Sequence, residues 1–442
     1  MMKSYIWPLL ILVIALGQIA SQEIPTGYSD NPQKKLLNVA ITTSSTLEEL
    51  LSYALKHNPG LMANAKKVQS KIASANLKSS LPDPIIRYGY FVNEVETRTG
   101  PQQHRLGISQ SIPFPGKLGL EKTIGLKAAA ADSAHWEQSR LDLIKQVTQV
   151  WYEYAYLIKA SDLMENTLEL LNYLEGVVRT KYITGLTPQS SLLKVQIEVE
   201  TLKDRLQDIS DMETSLKTKL NALLNRQQFE PLPRPESIGI YSDDLNDSLW
   251  HKQLVESSSV LSELRIRMES TDSVIKLAKK ENLPSFTLGI DYIFTGDAIN
   301  PSLSESGKDP FIATISMNIP LWRGKNKSRV EAARAHKQAA ASNYQSMKNT
   351  LTARLQTVLY AFRESKRKIY LYSNSLIPRM HQAYEVTRTA FEAGEVDFPE
   401  LIDSQRTLLE MQLMLEREKA NFNQHFAELE LLTGRGLPKG EN

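Results

Sequence analysis

The chain has 442 residues, 41% of them hydrophobic and 23% charged, which excludes both wholesale disorder and a membrane protein built from many helices. Its 52 Lys and Arg residues nearly balance its 50 Asp and Glu residues, so the net charge of +2 gives no electrostatic case for nucleic-acid binding. It contains no cysteine, which excludes disulfides, thiolate nucleophiles, cysteine-ligated metals and an acylated N-terminal cysteine.

The N-terminus begins with an uncharged apolar run at residues 5–20, which follows Lys3 and precedes a polar segment. The run is shorter than the ~20 residues that a membrane-spanning helix needs. We therefore predict a signal peptide at 1–21, followed by an N-terminal extension at 22–44. The alternatives are a buried N-terminal helix and an uncleaved anchor. No later segment has 18 consecutive apolar residues, so we predict no transmembrane helix after the signal peptide.

Four segments alternate between apolar and polar residues with period two, the pattern of a β-strand with two different faces. They are residues 86–92, 105–113, 286–295 and 311–319. Their length is close to that of a tilted membrane-spanning strand, and their apolar faces carry Tyr and Phe, as an interfacial girdle does. The alternative is a pair of ordinary amphipathic hairpins on a soluble core.

Most of the remaining chain has the 3-4 spacing of helices that pack along a seam. Ile144, Val147, Trp151, Tyr154 and Ile158 follow this spacing. It continues at Leu168, Leu171, Leu174 and Val178, and again at Leu192, Val195, Val199, Leu202, Leu206 and Ile209. Because no proline occurs between positions 115 and 188, one helix of about 60 residues is predicted, which would be about 90 Å long.

The two halves of the chain repeat each other. Residues 177–185 match 386–394, and residues 111–114 correspond to 318–321. Each half is therefore predicted to contain a helix, two strands, a long helix, a glycine turn and a helix. The predicted boundaries are 45–227 for the first repeat, 228–247 for a proline-containing linker, 248–434 for the second repeat and 435–442 for a C-terminal tail.

Four strands cannot close a membrane barrel, because single-chain barrels start at about eight strands. Strand edges left unpaired in lipid also carry a large energetic penalty. If these strands enter a membrane, several copies must share one barrel. Two copies would supply eight strands and three copies would supply twelve.

Motifs in the second half resemble the TolC family of outer-membrane efflux channels. They are Phe-Glu-Ala-Gly at 391–394, Phe-Pro-Glu-Leu-Ile-Asp-Ser-Gln at 398–405, and a long helix ending Leu-Leu-Thr-Gly at 431–434. The sister motif in the first half is Tyr-Ile-Thr-Gly-Leu-Thr-Pro-Gln-Ser-Ser-Leu at 182–192. With the element order and the duplication, the resemblance covers about residues 45–434.

The resemblance implies a mainly α-helical fold with a small β part. Long coiled-coil-like helices would form an α-barrel through the periplasm, and four strands per protomer of a homotrimer would form a 12-stranded β-barrel among the lipids of the cell outer membrane. A periplasmic adaptor (a membrane fusion protein) and an inner-membrane pump of the RND type would be its partners. The protein would be an exit duct that conducts substrate passively, without cofactor, enzymatic chemistry or nucleic acid.

In the family, the two glycine turns contact the adaptor. Carried over to this sequence, the candidate contact residues are Gly185, Leu186, Thr187, Gly394, Glu395 and Val396. The second turn departs from the common small apolar pattern at Glu395 and Asp397. The alternative is that these residues only form the turns.

Glu400 and Asp403 are spaced i, i+3, which places both carboxylates on one helix face. Family members often carry two acidic residues here that line the closed periplasmic constriction. Carried over to a trimer, these residues would form a ring of six carboxylates that favours cations. The alternative is a solvated helix N-terminus whose charges pair with the helix dipole.

Enzymatic functions find no support in the sequence. It contains no phosphate-binding, dinucleotide-binding, HExxH or GxSxG motif, and its seven histidines form no i, i+4 pair. We therefore predict a protein that is not an enzyme, with no catalytic, cofactor-binding or metal site.

The segment at 109–118, Ser-Gln-Ser-Ile-Pro-Phe-Pro-Gly-Lys-Leu, is similar to the heavy-metal-efflux branch of the family (CusC- and CzcC-like). Alternatively, Pro115 and Gly116 simply form the corner between strand and helix. Heavy-metal cations are the predicted cargo, with drug efflux or type I protein secretion as alternatives. A competing prediction of another class is a soluble periplasmic coiled-coil scaffold, which would not need strands of membrane length.

Overall fold

The structure is a computed structural model that describes residues 41–42, 44–235, 237–240, 247–300 and 304–434. The predicted signal peptide at 1–21, most of the extension at 22–44, part of the linker at 228–247 and the tail at 435–442 lie outside these residues. The described helices are α1 (Leu47–His57), α2 (Pro59–Leu77), α3 (Lys117–Ile183), α4 (Gln189–Leu223), α5 (Asp247–Ser257), α6 (Ser259–Lys280), α7 (Arg323–Leu371), α8 (Ile377–Ala393) and α9 (Phe398–Thr433). The described strands are β1 (Ile85–Val95), β2 (Gln102–Ile112), β3 (Phe286–Thr295) and β4 (Phe311–Met317).

Helix α3 runs without interruption for 67 residues, which at the usual helical rise is about 100 Å. Ile144, Val147, Trp151, Tyr154 and Ile158 are all buried along it. The 3-4 spacing in the sequence is therefore a packing seam, and the prediction of one long unbroken helix is confirmed. Within the described residues, no helix is both long enough and apolar enough to cross a membrane.

The matching helix of the second half contains one irregular turn. Helices α7 and α8 are continuous through a π-helical turn at Tyr372–Leu376. Pro378 follows in the first turn of α8, where its missing N–H group would leave a gap in a regular helical ladder. The predicted equivalence of the two halves therefore holds for element order but not for helix regularity.

The helices of the two halves share their cores. Near the glycine turns, one cluster combines Leu171 of α3, Leu202 of α4, Tyr384 of α8 and Leu401 of α9. Farther along α9, Phe422 stacks on Phe362 of α7 with ring centroids 4.5 Å apart. Burial of each such side chain stabilises the fold by roughly 1.5–3 kcal/mol, so the hairpins α3–α4 and α8–α9 form one packed unit.

The strands form one antiparallel sheet with the order β1-β2-β3-β4. The sequence pattern predicts two hairpins, whereas the structure joins them, because β2 pairs with β3 from Ile112 opposite Phe286 to His104 opposite Phe294. This pairing connects the two halves of the chain. It cannot be predicted from local alternation, which says nothing about which strands are neighbours.

The sheet has one apolar face and one mainly polar face. The register aligns one row across all four strands on the apolar face: Tyr88, Leu106, Tyr292 and Phe311. All four of these side chains are exposed in the protomer. The opposite face carries small and polar residues such as Ser109, Gly289, Thr314 and Ser316. The predicted two-faced strands are confirmed, and the exposed aromatic face requires an apolar environment.

Candidate functional site

The two glycine turns have the same backbone geometry. Gly185 has φ 72° and Gly394 has φ 82°, both in the left-handed region that glycine adopts without steric cost. In each turn, the N–H of the residue after the glycine donates to the carbonyl five residues earlier, at 2.8 Å in both cases. This is the Schellman pattern, which ends a helix by satisfying its last carbonyl groups. The sequence repeat is therefore also a repeat of structure.

The two turns contact each other through Lys181. Its Nζ donates to the backbone carbonyl of Phe391 at 3.2 Å and lies 4.0 Å from the centroid of the Phe391 ring. That ring packs edge-on against buried Phe398, with centroids 5.7 Å apart. Because this contact joins residues 210 positions apart, the sequence pattern gave no sign of it.

All six residues predicted from the resemblance to contact an adaptor lie in these adjoining turns. They are Gly185, Leu186, Thr187, Gly394, Glu395 and Val396. The first turn presents an apolar surface, since Ile183 and Leu186 are each 76% exposed. The second turn presents the exposed carboxylate of Glu395. This end of the molecule therefore offers apolar and acidic surfaces side by side.

Glu400 and Asp403 are both exposed at the start of α9, while the intervening Leu401 and Ile402 are buried. The structure therefore places both carboxylates on the open side of the helix, as their spacing predicts. Asp403 Oδ1 lies 3.5 Å from Nη1 of Arg406. Glu400 has no ion-pair partner in the part of the chain that the structure describes.

Arg406 belongs to this site, although the sequence pattern did not single it out. It donates to Glu198 of α4 through Nε at 3.3 Å and through Nη2 at 3.0 Å. Hydrogen bonding to this carboxylate raises the pKa of Arg406 above its ordinary value, so it stays charged. Arg406 thus ties the hairpin α3–α4 to α8–α9 and offsets part of the negative charge of Asp403.

A second polar feature lies on the polar face of the sheet. Arg105 of β2 donates to Asp291 of β3 through Nε at 3.0 Å, and its Nη2 lies 2.9 Å from the other carboxylate oxygen. The Asp291 side chain is 4% exposed and that of Arg105 is 49% exposed. The carboxylate lies over Gly107, where an added Cβ would collide with it. The sequence offered two signs of this ion pair: an aspartate, Asp291, and a glycine, Gly107, each within a predicted strand.

Within the described residues, no group of three or more His, Cys, Asp or Glu side chains could hold a metal ion.

The sequence and the fold both match known proteins. The sequence profile of the outer membrane efflux protein family matches residues 50–225 and 250–435, which is more than half of the chain. The chain belongs to the outer membrane efflux protein family. It is therefore a passive outer-membrane channel of the kind used in tripartite efflux systems, with a helical tunnel in the periplasm, and it is not an enzyme. The resemblance found in the sequence is confirmed, and the competing prediction of a soluble scaffold is wrong.

Individual members of the outer membrane efflux protein family are distant relatives. The chain is 18% identical over 372 residues to the cobalt-zinc-cadmium resistance protein CzcC of Cupriavidus metallidurans, covering 83% of this chain and 85% of CzcC. Its fold is similar to that of CusC, with a TM-score of 0.76 and 17% identity over 90% of this chain and 97% of CusC. The outer membrane protein VceC of Vibrio cholerae gives a TM-score of 0.72 at 17% identity over 88% and 96%. The predicted fold class, long α-barrel helices with strands of a β-barrel, is therefore confirmed.

Proposed function

We propose that this channel is the exit duct for heavy-metal cations. The observation that carries the proposal is the similarity to a cobalt-zinc-cadmium resistance protein along 83% of the chain. The exposed carboxylates of Glu400 and Asp403 support it, because acidic groups at a constriction favour cations. The metal-branch-like tract at 109–118 points to the same cargo.

We infer further that the channel is a homotrimer. Among the described strands, β1 pairs only with β2 and β4 pairs only with β3, so both outer edges of the sheet lack partners. Backbone N–H and C=O groups cannot stay unpaired in lipid, and pairing β4 of one copy with β1 of the next satisfies both edges. Three copies would close a barrel of twelve strands, a number within the range of membrane barrels.

The adjoining turns would be the docking surface for a periplasmic adaptor, with an RND-type pump behind it in the inner membrane. Exposed apolar residues such as Leu186 would supply buried area at the contact. Glu395 would supply a charge that selects a basic partner. The six contact residues are those already named for the two turns.

Neutralising the acidic pair, with Glu400→Gln and Asp403→Asn, is expected to reduce the cation preference of the channel. The K+/Cl− permeability ratio should fall by about threefold or more, because a carboxylate ring raises the local cation concentration. Reversal potentials in planar bilayers under a KCl gradient measure this ratio.

The matched control is Glu48→Gln with Asp83→Asn, which removes two exposed carboxylates outside α8, α9 and the turns. Its ratio should equal that of the wild type. If the Glu400 and Asp403 variant also keeps the wild-type ratio, the carboxylate ring is rejected while the channel fold stands.

The cargo can be tested by crosslinking the tagged protein in its own cells and identifying the captured proteins by mass spectrometry. We expect an adaptor and a proton-driven metal pump, together with lower tolerance to Zn²⁺, Co²⁺ and Cd²⁺ when the channel gene is deleted. Tolerance to detergents should not change. If an ATP-driven or drug-type pump is captured instead, the exit-duct function still stands but the proposed metal cargo is rejected.

A further inference from the structure

The polar face of the sheet carries more positive than negative charge. The charged residues on this face, over the regularly paired part of the four strands, are Arg87 of β1, Arg105 of β2 and Asp291 of β3. Strand β4 contributes only uncharged residues: Ile312, Thr314 and Ser316. Over this regularly paired part, each protomer therefore has one positive charge in excess.

The excess charge is that of Arg87. Asp291 is engaged by both guanidinium contacts of Arg105. Arg87 lies in the same row of the register as Gly107 and Asp291, it is exposed, and it has no ion-pair partner within the described residues. Glu94 lies beyond the irregularity that follows Tyr90 in β1, where it accepts a hydrogen bond from Gln103 at 3.3 Å.

The polar face is the one that lines the lumen. In an outer-membrane barrel, the apolar face of each strand contacts lipid and the other face contacts water inside the barrel. Closing the barrel between copies would bring β4 of a neighbour beside β1. Because the polar face of β4 has no charged residue, a neighbouring copy would supply no carboxylate to Arg87 from this strand.

We propose that Arg87 forms a positively charged belt in the lumen of the transmembrane barrel, which attracts small anions and opposes the passage of cations. The belt rests on the assembly of several copies proposed above. Rings of arginine in a pore favour anions. The Debye length at physiological salt is about 8 Å, so the belt acts on ions that pass close to the wall.

The belt has the opposite sign to the acidic pair on α9. The periplasmic end would attract cations, and the transmembrane part would repel them. Without a voltage the belt would lower cation permeability equally in both directions, and under an applied voltage the two regions in series would rectify the current.

The test is Arg87→Gln in purified channels in planar bilayers, measured in the wild type and in the Glu400→Gln, Asp403→Asn background. We expect the Cl−/K+ permeability ratio to fall by about twofold or more in both. In the background without the acidic pair, the ratio should fall from above one to near one. The matched control Arg87→Lys keeps the charge and should keep the ratio.

A second variant makes the result independent of any folding defect. Because the chain contains no cysteine, Arg87→Cys provides a single thiol that can be modified in the assembled channel. A cationic methanethiosulfonate reagent should restore the anion preference, and a neutral reagent of similar size should not. If the Cl−/K+ permeability ratio does not change with the charge at position 87, the proposed belt is rejected. A wild-type protein that forms neither trimers nor channels overturns the proposed assembly itself.

Discussion

Valine at both turn glycines, Gly185→Val with Gly394→Val, is expected to abolish export while assembled channels still reach the outer membrane. Both glycines have positive φ, where any residue with a Cβ pays roughly 1–2 kcal/mol and a β-branched residue more. No atom of the described residues lies within 4 Å of a Cβ added at either position, so the cost is backbone strain and not a clash with the core. The strain would distort the adjoining turns, which carry the proposed docking surface.

Export is measured as metal tolerance of cells that depend on this channel, and assembly as trimer recovered from outer membranes. The matched control is Gly176→Val, at an exposed position inside α3 where an added Cβ also meets no atom of the described part of the chain within 4 Å. That variant should export normally, since its backbone is helical. Loss of the trimer in the double variant would show that the turns are needed for folding or assembly. Unimpaired export would show that the turns are not part of the docking surface.

Alanine at Gly107 is expected to weaken the transmembrane sheet. A Cβ at this position would occupy the place of the Asp291 carboxylate, which would have to leave Arg105. The displaced carboxylate would lose both contacts with Arg105, which removes the ion pair that joins the two central strands. We expect less channel in the outer membrane than for the wild type, and the trimer should dissociate at a lower temperature in detergent.

Gly89→Ala provides the control for this variant, because a Cβ there would lie 3.9 Å from Cβ of Arg105, an ordinary contact. Gly89 lies opposite Arg105 in the neighbouring strand, so the two variants differ mainly in the collision. Adding Asp291→Gly to Gly107→Ala should restore part of the yield by removing the displaced carboxylate. Equal yield and thermal resistance for the Gly107 and Gly89 variants would show that the ion pair is dispensable.

Local periodicity predicted the elements because each pattern is set by contacts within a few residues. The seam through Val147 and Tyr154 is a property of one helix, and the alternation through Leu288 and Ile290 is a property of one strand. The glycine turns were predictable for the same reason, because a positive φ at one residue favours glycine at that position whatever the rest of the chain does. The resemblance then supplied what local patterns cannot, the placement of these elements in a membrane channel.

The contacts that organise the site join distant parts of the chain and escaped prediction. Arg406 and Glu198 are 208 residues apart, and Arg105 and Asp291 are 186 apart. Neither pair can be derived without knowing that the two halves pack together and that β2 lies beside β3. The charge balance on each surface therefore emerged only from the structure.

The π-helical turn at Tyr372–Leu376 changes the symmetry of the assembled tunnel. Ser111 and its counterpart Asn318 are 207 residues apart, whereas Gly185 and Gly394 are 209 apart, so the second half has gained two residues between these points. Inserted residues would rotate the rest of a seam away from its partner, and the π turn absorbs one of the two without a loop. Ile369 and Phe391, on either side of it, are both still buried. In a trimer, the helices of the two halves would alternate around the axis without being equivalent. The tunnel would then have true threefold symmetry and only approximate sixfold symmetry.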